Sequence, residues 1–339
     1  MLHSSSAPNV LAVRFSSIGD VLLTTPLLRA IRASYPESRI TLLTKAVHAP
    51  LLSHNPHVTQ VIGIESKTSL TALAGRLRSD RYSHLFDLHD SLRSRALRAL
   101  VPGHWTTYPK HRLARTLLIH GKRDWYPDRK PVAERYFSAA RQLNVTPDGG
   151  PPDFFLGPES KQEVEQWLES TQLGQKRPIV AVAPGAAHAT KRWPAAHWKA
   201  LIRWLRNDGF DVVIVGGADD QVVAAVLTAQ TCGVVSAAGR FGLQGTGALL
   251  QRSVALISGD TGVMHMATGV GTPVLALFGP TVRQFGFFPY TPAAKVIELD
   301  LACRPCSSKG GPRCPLGHHR CLGDISPEIV LGSLREMVS

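Results

Sequence analysis

Short apolar runs alternate with helical stretches twice along this chain, and that alternation restricts the fold more than any other feature. In the first series, residues 10–15, 39–44, 58–64 and 84–88 read as short buried strands, with helices predicted at 21–34 and 70–79. In the second, residues 179–183, 212–215, 234–237, 254–257 and 274–278 read as strands, and 197–208, 219–231, 247–252 and 265–270 as helices. Short strands separated by helices imply parallel βαβ units, so each series predicts an α/β domain built on a doubly wound parallel sheet. The Pro- and Gly-rich stretch 144–158 reads as a linker. The expected division is therefore 1–150, 151–325 and a closing helix at 326–339, with Ser326 as N-cap and Pro327 at its first position. Two such domains in tandem are expected to face each other across a cleft, with ligands beyond the carboxyl ends of the strands.

Composition narrows the partners. A hydrophobic content of 44% with 19% charged residues describes a packed chain, not a disordered one. The longest apolar runs fall far short of a bilayer span. Residues 1–9 are polar and Ser-rich, and Arg14 interrupts the run that follows, so no secretory signal is read and a cytoplasmic setting is expected. The net charge is +13, and residues 91–130 hold ten Lys or Arg against two Asp. Such an excess favours a polyanion, whether nucleic acid, an anionic membrane surface or a phosphorylated glycolipid. A basic enzyme without a polyanionic partner fits it too.

Three segments carry candidate chemistry. Arg14-Phe-Ser-Ser17-Ile-Gly19-Asp20 follows a strand and opens a helix, so Asp20 is either a helix cap or a cleft-facing base. One glycine where three are needed excludes a dinucleotide fingerprint. Ser258-Gly-Asp260-Thr261-Gly262-Val-Met-His265 again joins a strand to a helix. Backbone N–H groups at Thr261 and Gly262 could hold a diphosphate, while Asp260 could accept from sugar hydroxyls. Gly279-Pro-Thr281 follows the next strand. The third segment, Gly185-Ala-Ala-His-Ala-Thr190-Lys191-Arg192-Trp-Pro, reads as a phosphate clamp or as a solvated loop with two cations.

Taken with Ala133-Glu-Arg-Tyr136 and Leu277-Phe-Gly-Pro-Thr281, these segments resemble the ADP-heptose:lipopolysaccharide heptosyltransferases, glycosyltransferase family 9, of the GT-B fold. The resemblance covers most of the chain in order. It implies two Rossmann-like domains and an inverting transfer of heptose from ADP-heptose to the lipopolysaccharide inner core. Asp20 would be the general base and Lys191 would offset charge on the departing diphosphate. Thr261 and Gly262 would hold phosphate oxygens, Asp260 would contact the heptose, and Gly185, Thr190, Arg192, His265, Gly279 and Thr281 would complete the donor site. Transfer would need no cofactor, since a cation and a helix N-terminus can stand where other transferases use a metal. Asp87-Leu-His-Asp90 has the wrong spacing for a D-x-D metal pair. Ser17 and Gly19, with Arg112, Arg115, Lys122 and Arg123 placed in the first domain, would meet an acidic acceptor. Contact with the cytoplasmic face of the inner membrane would be peripheral.

Cys303-x2-Cys306-x7-Cys314-x6-Cys321 stands apart from this chemistry. Its spacing leaves open a structural zinc or iron–sulfur site, reduced thiols, or disulfides. Cys232 reads as a core residue. Two rivals remain: a GT-B transferase with another nucleotide sugar, and a basic nucleotide- or nucleic-acid-binding module. No recognised nucleic-acid motif supports the second, and no specific nucleic-acid partner is expected.

Overall fold

The computed structural model describes residues 7–229 and 233–338. The chain forms two compact units, Met1–Lys110 with Val132–Phe155, and His111–Pro131 with Leu156–Ser339. This corrects the expected boundary, because residues 111–131 leave the first stretch and fold with the second. The closing helix, Pro327–Val338, is no separate element either, since it packs on the helix Ala195–Asn207.

In the first unit, β1 (Asn9–Val13), β2 (Arg39–Lys45), β3 (Gln60–Ile64), β4 (His84–Asp87) and β5 (Trp105–Thr107) form one parallel sheet in the order 3-2-1-4-5. Strand β5, absent from the sequence reading, is only three residues long and follows Pro102 and Gly103, too short for any periodicity. The inner strands are apolar on both faces because helices cover both, as the buried cluster of Leu11, Val13, Leu43, Leu85 and Leu97 shows for one of them. The helix expected at 21–34 is two helices, Ile18–Leu22 and Thr25–Ser34. Pro26 has no N–H to continue the ladder, and the Thr25 hydroxyl donates to Leu22 O instead (2.7 Å).

The second unit orders its six parallel strands 11-10-9-6-7-8: β6 (Ile179–Ala183), β7 (Asp211–Ile214), β8 (Val234–Ser236), β9 (Ala255–Gly259), β10 (Val274–Phe278) and β11 (Ala294–Glu298). Read from the other edge this is the 3-2-1-4-5-6 order of a Rossmann sheet, with the direction of winding reversing between β6 and β9. Strand β11 escaped the sequence reading because it is a half-exposed edge with a charge at Lys295. The helix Leu243–Gln251 starts four residues earlier than predicted, since Gly245 and Gly247 inside it weaken the helical signal. The helix predicted at 219–231 is a 3-10 turn at Ala218–Asp220 followed by Gln221–Thr228. Its predicted end at Thr231, like Cys232, lies outside the described residues. Among the described residues no helix is long and apolar enough to cross a membrane.

Trp198 anchors the core of this unit, 1% exposed, with its ring edge-on to Trp193 at 5.0 Å between centroids. Trp198→Ala is expected to cost about 3–5 kcal/mol by the burial and cavity terms, read as a lower midpoint with unchanged slope in urea denaturation.

Candidate functional site

Both sheets carry their candidate residues where the strand order reverses, the position at which open α/β sheets bind ligands. In the first unit that point lies between β1 and β4. The helix Ile18–Leu22 has Ser17, not Asp20, as its N-cap. Asp20 sits three residues in and reaches back, its Oδ2 accepting from Ser17 N (3.0 Å) and Ser17 Oγ (2.9 Å), one half of a capping box. Its Oδ1 pairs with the guanidinium of Arg14, a side chain only 7% exposed. Gly19 is buried in the same turn.

Arg14 is the residue that sequence reasoning passed over. It sits just past β1, donates to Leu88 O beyond β4 and to Tyr108 Oη (3.4 Å), and lies 5.8 Å from the centre of the Tyr136 ring. Burial by itself would lower its pKa, but the charge of Asp20 and the two tyrosines outweigh that and raise it above the ordinary arginine value. The cation is thus fixed, and it orients the Asp20 carboxylate. Ala133-Glu-Arg-Tyr136, otherwise an ordinary helical segment, contributes Tyr136, which packs on Tyr108 at 4.7 Å. The available signal was a cation closing an apolar strand run, where water would otherwise be lost without compensation.

Two imidazoles stand in the same electrostatic neighbourhood. Burial, then Arg14 and Lys110, push the pKa of His89 down to about 4, and burial with Lys45 lowers that of His48. Both rings are therefore neutral at pH 7, so the positive charge near Asp20 comes from Arg14, Lys45 and Lys110. The ammonium of Lys110 donates to the carbonyls of His89 and Asp90.

In the second unit the reversal lies between β6 and β9, and three predicted residues meet there. Asp260, just past β9, accepts on Oδ2 from Lys191 Nζ (2.5 Å) and from Thr281 Oγ1 (2.8 Å). The pair is largely shielded, with side-chain exposures of 13% and 11%. Thr261 is the N-cap of the helix Gly262–Gly269, which starts three residues before the helix expected at 265–270, and its hydroxyl lies 3.1 Å from Ser258 Oγ. The first turn of that helix presents the orphan N–H groups that suit an anion. At Gly259 a Cβ would lie 3.0 Å from Lys191 O, a tight contact to which the loop carrying Lys191 would have to yield.

Other predicted residues have structural positions. The Thr190 hydroxyl is buried and bonded to the backbone of Gly311, and Arg192 donates to Ala186 O (2.9 Å). His265 is 3% exposed, inside its helix. At Gly185 the missing side chain makes room for the Asp220 carboxylate, and Gly279 lies under Leu322 and Cys321. The four cations expected in the first domain belong to the second unit. Lys122 donates to Cys303 O (2.9 Å) and Pro305 O (2.6 Å), and Arg115 stacks over Phe285 at 5.3 Å, while Arg112 and Arg123 are exposed.

The four cysteines are free, which removes the disulfide alternative. Among the described residues no group of three or more His, Cys, Asp or Glu side chains is arranged to hold a metal ion. Burial, with the other cysteines adding to it, raises the thiol of Cys321 to about 11 and that of Cys306 above its ordinary value.

Comparison with known proteins agrees with this geometry. A family model described as Glycosyltransferase family 9 (heptosyltransferase) matches residues 70–315. The chain is 29% identical to lipopolysaccharide heptosyltransferase 2 of Salmonella typhimurium, covering 97% of this chain and 98% of that one. It superposes on the structure of Escherichia coli ADP-heptose lps heptosyltransferase II with a TM-score of 0.76, at 26% identity and with 97% and 98% of the two chains covered. A family 9 glycosyl transferase from Veillonella parvula gives a TM-score of 0.82 at 22% identity, covering 99% and 98%.

Removing Arg14 would leave a largely shielded carboxylate without its cation, a loss of up to about 3–5 kcal/mol. Arg14→Ala is expected to be destabilised on that scale in urea. By NMR, the His89 imidazole should titrate near pH 4 in the wild type and at higher pH in the variant, because a neighbouring positive charge is gone.

Proposed function

The chain belongs to glycosyltransferase family 9, the heptosyltransferases, and from that membership we propose that it moves heptose from ADP-heptose to the inner core of lipopolysaccharide. It is an enzyme of the GT-B class, with a Rossmann-like sheet in each unit. The single observation that carries the donor assignment is the convergence of Lys191, Thr281 and Asp260 beside an eight-residue helix whose N-cap is Thr261.

In this reading the second unit holds the donor. Backbone N–H groups at Thr261 and Gly262 bind diphosphate oxygens, and the helix dipole favours their charge. Lys191 exchanges Asp260 for the diphosphate and neutralises the charge that develops as the sugar–phosphate bond breaks. Asp260, still held by Thr281, accepts hydrogen bonds from heptose hydroxyls. The first unit holds the acceptor. Asp20 takes the proton from the acceptor hydroxyl as its oxygen attacks the anomeric carbon, and Arg14 keeps the carboxylate oriented while it does so. A hydroxyl is a poor nucleophile, and a positioned base of this kind contributes about 10²–10⁴-fold.

The reading assigns no role to a divalent ion, since Lys191 and the helix N-terminus supply the positive charge. Lys45, at the end of β2, offers a cation to the carboxylates and phosphates of the acceptor. The net charge of +13 suits a peripheral hold on an anionic membrane surface, weakened by salt.

Transfer from ADP-heptose to an inner-core acceptor is expected to survive EDTA, and Asp20→Ala is expected to lower kcat by about 10²–10⁴-fold with little change in donor KM. An enzyme that ignores ADP-heptose but consumes another nucleotide sugar would replace the donor. Loss of transfer in EDTA, restored by a divalent ion, would remove Lys191 from its role as the only cation at the leaving group.

A further inference from the structure

The Cys-rich segment takes no part in the chemistry above, yet it touches both loops that meet at Asp260. Its first contact is through Arg304. That guanidinium is only 6% exposed and turns inward to four acceptors at the carboxyl ends of β10 and β11. Nε donates to Gly279 O (2.5 Å), one terminal nitrogen to Leu299 O, and the other to Thr281 O (2.9 Å) and Glu298 Oε2 (2.6 Å). Two of these acceptors are the carbonyls of Gly279 and Thr281, which bracket the turn that carries the Thr281 hydroxyl. The second contact is with the other loop. Gly311 N donates to Thr190 Oγ1 (2.8 Å), Thr190 N donates to Gly311 O (3.1 Å), and a ring nitrogen of His319 lies 2.9 Å from Thr190 O. Lys191 is the next residue along. Lys122 in turn ties Cys303 and Pro305 to the segment 111–131.

We propose that Arg304 is a positioning residue of the donor site, fixing the turn 279–281 so that the Thr281 hydroxyl stays on Asp260 while Lys191 leaves it for the diphosphate. The physical need is plain. Once Lys191 moves to the donor, Thr281 is what holds Asp260 in place for the sugar, and Thr281 lies on a turn outside the regular strand ladder. A planar guanidinium holds five donors in a rigid fork and grips several carbonyls of such a turn in fixed directions, where an ammonium has three donors on a flexible stem. The Cys-rich segment is then the strap that carries Arg304 and Gly311 to the two loops. This inference rests on the reading of the second unit as the donor site.

The test is a double-mutant cycle on transfer from ADP-heptose, with KM and kcat measured for wild type, Arg304→Gln, Thr281→Val and the double variant. Losing a hydrogen bond to a charged group is worth about tenfold or more, so each single variant is expected to raise donor KM by about tenfold, with kcat changed less. The double variant should be no worse than the poorer single, because both act through the same Asp260 contact. Should Arg304→Gln fail to fold by circular dichroism, Glu298→Gln loosens Arg304 more gently and is expected to show a smaller KM rise with the same non-additivity. Effects that multiply to about a hundredfold, or a donor KM that Arg304→Gln leaves unchanged, would overturn the proposal. A wild type inactive with ADP-heptose would overturn the donor reading itself, a result distinct from an active wild type whose variants simply add.

Discussion

A buried ion pair between Arg14 and Asp20 organises the first unit. An arginine cannot shed its charge inside a protein, so its burial obliges the surrounding chain to supply acceptors. Leu88 O answers from beyond β4, Tyr108 from beyond β5, and the Tyr136 ring from the segment that returns to this unit after residue 131. Strands β1 and β4, neighbours at the reversal of the sheet, are thereby joined beyond their hydrogen-bonded ends. The same pair leaves Asp20 with one oxygen committed to the guanidinium and the other on the N-cap of its own helix. A carboxylate so held has a fixed direction, which is what a base needs if its acceptor hydroxyl is to be met in line.

The second unit solves a related problem differently. Its carboxylate, Asp260, is paired with a lysine, whose single flexible ammonium can leave for a ligand. Thr281 supplies the neutral hydrogen bond that would remain. Where the first unit uses an arginine to keep a group still, the second uses one at a remove: Arg304 grips the turn and not the carboxylate. In that proposal the cysteine segment acts through Arg304 and Gly311.

Much of this was legible in the sequence because strong local signals and global fold agree. Residues 179–183 and 274–278 are uninterrupted apolar runs, and each is a strand buried on both faces. Thr261 and Gly262 stand at a helix N-terminus, as the pattern suggested. What escaped depended on contacts distant in sequence. Nothing in Arg112, Arg115, Lys122 or Arg123 says that their segment folds with residues 156–339, because that is decided by partners such as Cys303 and Phe285. The resemblance put Thr190 in the donor site, and its hydroxyl's bond to Gly311 spans 121 residues.

The central claim is that a fixed Asp20 activates the acceptor for one direct displacement at the anomeric carbon, with no covalent glycosyl-enzyme on the way. The stereochemistry of the product tests it most directly. One-bond carbon–proton coupling at the anomeric centre, measured by NMR for donor and product, would show whether the configuration changes. A single displacement predicts inversion. A product that retains the donor configuration would contradict the account, because a single back-side displacement inverts the anomeric centre.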